Sequence, residues 1–339
     1  MYLPTWRHPQ KQRRHRKFVF FVRLFILIIL LTLILFSSIS LLKAKKNSQL
    51  LKDSRVTIVL ATQPIMVVSL TPQGEMTILS IPKNTYLETI HGFGSYRVGA
   101  VWSLGKQEKL GGTLLADTIQ EYLAVPIDGW IGPSSGDQTW NIGMTKQEVI
   151  SLKNSLTSWN MFFNFKNLLA QYKNIDTNLN ILDITRLWYS IKNIRFDKIN
   201  YINLGESSSL KPFNFIDGSQ GLNSDINLID ITIKDLFKDK KIIDDKLVIE
   251  VVNSSSKNGM ANRISRLITN MGGTVISISN NAEEQNNCSI NGNDNILVSY
   301  TSQRLLQIYG CQKGKAIDNL RVDLQLVIGN NYWKKLFTR

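Results

Sequence analysis

Histidine, cysteine and N-terminal acid are what this 339-residue sequence has little of. Of three histidines, His8 and His15 fall in the first 17 residues, and only His91 lies elsewhere. That excludes a histidine-built metal centre and a Ser-His-Asp hydrolase set from the rest of the chain. Two cysteines, Cys288 and Cys311, are too few for a disulfide-built scaffold. The first 55 residues hold 12 Lys and Arg against one acid, Asp53; the remainder holds 28 basic and 25 acidic residues. The net charge of +14 is therefore local. A nucleic-acid-binding domain would spread basic residues over a folded face, so no nucleic-acid partner is expected.

Charge is also missing from residues 24–42, which read LFILIILLTLILF followed by SSISLL. This run of about 19 residues approaches the roughly 20 needed to cross a bilayer as a helix. A helix can do so because it satisfies its own backbone N–H and C=O groups. Arg7, Lys11, Arg13, Arg14, Arg16 and Lys17 precede it with no acid among them, which keeps that end in the cytoplasm. The expectation is a basic cytoplasmic tail (1–17), a transmembrane helix (18–42) and a polar linker (43–55). The chain is thus read as a single-pass cell-membrane protein whose bulk is extracytoplasmic. Its tail would be drawn to anionic membrane lipids. A cleaved signal peptide usually has a shorter apolar core and a small-residue cleavage site; a buried core helix would not follow a basic tail. Lys43, Lys45 and Lys46 soften the charge asymmetry.

Beyond the linker the pattern is α/β (α+β). VTIVLA (56–61), IMVVSL (65–70) and MTILSI (76–81) are short β-branched runs, and Thr71-Pro-Gln-Gly74 makes the last two a hairpin. A loop is expected over 83–95, a helix over 96–104, a second over 113–124 with Thr113 as N-cap, and a strand over 125–131. Helices follow at 144–151, 158–171 and 183–192, the last capped by Asp183, and then a strand at 196–204. The aromatic stripe of the second (Trp159, Phe162, Phe163, Phe165) reads as core packing. A Gly/Ser/Asn-rich stretch, 205–227, leads through 240–245 to a last module of order β-α-β-β-α-β: strands at 247–252, 274–279, 296–300 and 321–328, helices at 260–271 and 302–309.

Between the first strand and helix of that module, Asn253 and Gly259 bound a polar loop at a helix N-terminus, where backbone N–H groups can hold an anion. The loop lacks the Lys-Ser/Thr of a P-loop, and its plainer reading is a turn in which Gly259 takes a conformation other residues resist. Cys288 and Cys311 can close a disulfide outside the membrane or stand as separate thiols; the sequence leaves both open.

The segment VVNSSSKNGMANRISRLITNMGGTVISI, with the later ILVSYTSQ and LQLVIGNNY, resembles the LytR C-terminal domain over 246–332. Upstream, Ser80-Ile-Pro-Lys-Asn-Thr85, Tyr96-Arg-Val-Gly-Ala100 and Gly111-Gly112 resemble the Ser-Ile-Pro-Arg-Asp-Thr, Lys-Ile-Asn-Ala and Gly-Gly signatures of LytR-CpsA-Psr (LCP) domains. The resemblance implies an LCP-like extracytoplasmic domain over 56–204, a stretch of uncertain assignment over 205–245, and a cell-envelope role. LCP proteins move glycopolymers from a polyprenyl pyrophosphate carrier to the cell wall, using arginines on the phosphates and acids with a divalent ion.

This chain departs where that chemistry lives. Lys83 stands in place of an arginine, turning a planar bidentate donor into a point charge. Asn84 stands in place of an aspartate and cannot lend charge to Mg²⁺. The resemblance thus implies a degenerate domain with no catalytic residues, no metal ligands and no cofactor. Lys83 and Arg97 remain as phosphate contacts, and cell-wall glycopolymer, polyprenyl-linked precursor or other envelope proteins as partners. Its alternative is an active, Mg²⁺-dependent glycopolymer phosphotransferase.

Overall fold

The computed structural model describes residues 54–134, 139–141, 174–214, 220–281, 283–317 and 321–338, with isolated positions between. The expected tail and span, the helix at 158–171 and nearly all of that at 144–151 lie outside the described residues. Among those described, no helix is long and apolar enough to cross a membrane. The chain divides into two compact units: Met1–Ser48 with Asn180–Leu182, and Gln49–Leu179 with Asp183–Arg339. All that follows concerns the second.

Its first sheet holds six strands: β1 (Val56–Leu60), β2 (Ile65–Leu70), β3 (Met76–Ile81), β6 (Gly129–Pro133), β7 (Ile175–Thr177) and β8 (Ile199–Asn203). Their order is β8-β3-β2-β1-β6-β7. The hairpin expected from Thr71–Gly74 forms, β2 and β3 pairing antiparallel from Ile65↔Ile81 to Leu70↔Met76. Every residue of both strands is buried, as near-continuous apolar runs require of strands covered on both faces. Helices α1 (Val98–Gln107) and α2 (Thr113–Leu123) pack beside a second hairpin, β4 (Tyr86–Thr89) with β5 (Gly94–Arg97). The second lies where a loop and the start of a helix were expected. Its turn uses His91, Gly92 and Gly94, all at positive φ, a backbone choice that apolar periodicity does not report.

Other boundaries shift for local reasons. Gly112, not Thr113, caps α2, with no side-chain bond. The strand expected at 125–131 begins at Gly129. Asp183 lies buried inside helix α3 (Ile181–Asn193) rather than at its cap. The stretch 205–227 folds into a hairpin, β9 (Leu210–Asn214) and β10 (Gln220–Ser224), and opens helix α4 (Ile226–Ile233), capped by Asp225.

The second sheet has five strands: β11 (Val248–Asn253), β12 (Thr274–Asn280), β13 (Ser289–Gly292), β14 (Gln312–Lys313) and β15 (Leu324–Ile328), in the order β12-β11-β15-β13-β14. Around it lie α5 (Lys240–Asp245), α6 (Met260–Asn270), α7 (Asp294–Leu297), α8 (Tyr300–Tyr309) and α9 (Asn330–Phe337). The strand expected at 296–300 is α7 and the start of α8. The Ser299 hydroxyl accepts from the N–H of Ser302 at 3.2 Å, so this short apolar run starts a helix. The strand that replaces it, β13, lies inside the expected polar loop and pairs antiparallel with β15.

The two sheets do not have separate cores. One buried cluster runs from Val59, Leu79 and Trp102 of the first lobe to Ile249, Ile264 and Leu336 of the second. Polar ties cross the same junction. Arg304 on α8 donates to Asp128, just before β6, at 2.6 Å. Asp239 and Asp245, at either end of α5, accept from Tyr300 and Thr301 of α8.

Candidate functional site

The structure brings Lys83 and Arg97 to one end of α1. The turn Pro82–Thr85 closes through Thr85 N–H to Pro82 O at 3.0 Å. Its carbonyls then receive the first N–H groups of the helix: Val98 donates to Thr85 O at 2.8 Å and Gly99 to Lys83 O at 3.1 Å. A Cβ at Gly99 would lie 3.0 Å from Lys83 Cβ, so the glycine lets the turn seat on the helix. The first two amides of α1 are thereby occupied, and an anion here would be met by side chains rather than by the helix end. Arg97 caps α1 without a side-chain cap bond, and the first turn has no acid. Its Nε donates to the Tyr86 hydroxyl at 2.9 Å, with the guanidinium 5.4 Å from that ring's centroid. Both cations are exposed, and among the described residues neither has a printed carboxylate partner. The buried Thr85 Oγ1 beneath them has no hydrogen-bond partner.

The loop after β11 is filled from within. Gly259 adopts φ 83, as the turn reading requires. Asn253 Oδ1 accepts from the Ser255 N–H at 3.1 Å, Asn330 Oδ1 accepts from the Ser256 N–H at 2.8 Å, and Ser255 Oγ accepts from the Lys257 N–H at 3.3 Å. The donors that an anion would need already have acceptors, so the plain turn is what the geometry supports. Cys288 and Cys311 are bonded to each other, with Cα atoms 4.7 Å apart, and the bridge clamps β13 beside the end of α8. Among the described residues no three His, Cys, Asp or Glu side chains gather in a way that could hold a metal ion.

A cleft of about 570 Å³ opens beside Tyr86. Its walls come from β4, α2 and β10 on one side and from α6 on the other, with Tyr309 and Tyr332 at one end. Four ionisable side chains line it: Glu88, Glu121, Arg263 and Arg266. Arg266 is fully engaged, gripping both oxygens of Asp230 at 2.7 Å and donating to the carbonyls of Glu121 and Tyr122. Arg263 lies between Glu88 at 3.4 Å and Glu121 at 3.8 Å. Glu121 accepts from the Tyr332 hydroxyl at 3.0 Å. Burial pushes its carboxyl above the ordinary range, against the lowering influence of Tyr332 and of Arg263. Burial likewise raises Asp117, one turn earlier on α2, against Lys335 and His91.

Residues 246–332 match the family described as LytR cell envelope-related transcriptional attenuator. The second lobe is a LytR C-terminal domain. Among solved structures the chain is similar to Bacillus subtilis TagV, at 13% identity and a TM-score of 0.42, covering 66% of this chain and 100% of that one. It is also similar to TagT bound to LIIa-WTA, at 14% and 0.39, covering 53% and 88%, and to B. subtilis TagU, at 15% and 0.35, covering 54% and 95%. These neighbours are LCP proteins; likeness at such scores carries no argument about chemistry. A search of curated proteins finds no match.

The LytR C-terminal domain supplies half the cleft wall, which sequence reasoning missed. Arg263, Arg266 and Asn270 recur at i, i+3 and i+7 along α6, a spacing that marks one helix face. Nothing in a single sequence says that this polar face meets the C-terminal end of α2. There Arg266 and Asn270 take the last carbonyls of Glu121, Tyr122 and Leu123, groups a helix cannot satisfy itself. Helix α9 closes the same junction: the Leu336 carbonyl accepts from the His91 N–H, and the Arg263 guanidinium lies 4.9 Å from the Phe337 ring centroid.

Proposed function

We propose that this is a single-pass, membrane-anchored cell-envelope protein of LCP type that binds wall polymer or its lipid-linked precursor rather than transferring it. The observation that carries the reading is the pairing of two unneutralised cations, Lys83 and Arg97, at the seat of one turn on α1. Asn84 stands in that turn where a metal-holding acid would be needed. Exposed cations attract phosphate oxygens, and Arg97 is steadied by Tyr86. Phosphoryl transfer also needs a clamp for the charge that develops on the transferred group, and these two side chains alone do not make one.

The test uses the full chain in lipid nanodiscs and a polyprenyl pyrophosphate as probe. Lys83→Ala with Arg97→Ala is expected to weaken binding about tenfold, the equivalent of about 1.4 kcal/mol. Unchanged affinity would remove the phosphate site. Mg²⁺-dependent cleavage of the probe's pyrophosphate would establish the phosphotransferase alternative instead. The anchor is tested separately: a reporter active only in the cytoplasm, fused after Lys46, is expected to stay silent. A strong signal there would reverse the orientation and with it the envelope assignment.

A further inference from the structure

The cleft between α2 and α6 has a composition that narrows what can enter it. An anion would look for a free guanidinium, but Arg266 is held by Asp230 and two carbonyls, and Arg263 is shared between two carboxylates. A cation would meet those same two arginines. A pure hydrocarbon would suit the aromatic walls but would cover polar groups without satisfying them. The Tyr309 hydroxyl, buried and lining the cleft, has no hydrogen-bond partner, although a buried tyrosine hydroxyl usually finds one. Next to it Glu121 has one oxygen on Tyr332 and the other no nearer than 3.8 Å to Arg263. The floor therefore offers a hydroxyl and a carboxyl, while Tyr86, Tyr122 and Phe213 offer ring surface and the exposed Asn223 and Asn262 offer amides at the rim.

From these features we infer that the cleft is a binding site for an uncharged saccharide unit. A sugar ring presents apolar C–H faces to aromatic side chains and hydroxyls at its edge to Tyr309 and Glu121. The volume falls in the range of about 300–1,000 Å³ typical of small-molecule sites. The inference is independent of the phosphate contacts at Lys83 and Arg97, since neither residue lines the cleft. It assigns the LytR C-terminal domain a ligand-contacting role, because α6, Tyr309 and Tyr332 belong to that domain.

Saturation-transfer NMR on the full chain in nanodiscs tests it, with glucose and N-acetylglucosamine as probes and glycerol 3-phosphate and geraniol as anionic and apolar contrasts. Saturable sugar binding is expected, with a dissociation constant on the order of 1–10 mM, and little from the contrasts. Tyr309→Phe keeps the ring and removes only the unpaired hydroxyl, so the melting temperature is expected to hold or rise. Sugar affinity should fall about fivefold, the scale of one hydrogen bond. Absence of saturable sugar binding, preference for geraniol or glycerol 3-phosphate, or full affinity in Tyr309→Phe would each overturn the assignment. Because Lys83→Ala with Arg97→Ala leaves the cleft intact, that variant should bind sugar as the parent does, and a loss there would also count against two separate sites.

Discussion

Asp128→Ala is expected to lower unfolding stability by about 3–5 kcal/mol, the range for breaking a buried ion pair from one side. Asp128 accepts from Arg304 Nη1 at 2.6 Å through one oxygen and from the Thr57 N–H at 2.8 Å through the other. The two side chains are 4% and 5% exposed. Burial alone would lower the Arg304 pKa, yet it is raised, chiefly by Asp128, so the cation stays charged inside the protein. Removing the carboxylate strands that charge, leaving the Gln307 side chain at 3.1 Å as a neutral partner. Urea denaturation checks the size of the loss. Adding Arg304→Met to Asp128→Ala should recover most of it, because an apolar replacement of both partners costs far less than an unpaired charge. A single-variant loss below about 1 kcal/mol would mean that the pair behaves as a solvated surface bridge.

Trp102→Ala should be of similar size, about 3–5 kcal/mol, as large-to-small changes of buried aromatics are. Trp102 is fully buried, and its ring meets Trp130 edge-on with centroids 5.6 Å apart. The backbone closes over the pair at Gly112, where a Cβ would lie 2.3 Å from Trp130 and 2.6 Å from Trp102. A wall built of glycine backbone cannot move in to fill the space of an indole, so the cavity persists and the cost stays high. Trp102→Phe should cost clearly less, since it keeps most of the packing and removes an indole N–H that has no partner. Thermal melts of both variants, read against Asp128→Ala, check the order. Equal losses for Ala and Phe would show that the site is decided by something other than volume.

These two residues also show where reading the chain stopped. Trp102 falls in a segment whose helical spacing is legible, and Gly111-Gly112 is visible as a break, but nothing local says that the glycine is there to admit two indole rings. Asp128 and Arg304 are 176 residues apart; each reads alone as an ordinary surface charge. The same holds for Glu121 and Tyr332, 211 residues apart, which together make the cleft floor. The missed hairpin at 86–97 and the missed strand β13 have a different cause. Tyr86–Thr89 is too short to show alternation, and Ser-Ile-Asn-Gly has weak strand propensity. Their partners, rather than their own residues, make them strands.

Local patterns alone determined the β2–β3 hairpin, helices α2 and α6, the strand–loop–helix opening of the LytR C-terminal domain and the turn at Gly259. Each depends on residues a few positions apart, and hydrophobic period and glycine conformation act at that range. Tertiary structure alone decided that Lys83 seats on the first turn of α1, that the two lobes share one core, that Cys288 meets Cys311, and that α6 walls a cleft beside Tyr86. Those are pairings across long stretches of chain, set by which buried surfaces and charges find partners once the sheets have formed.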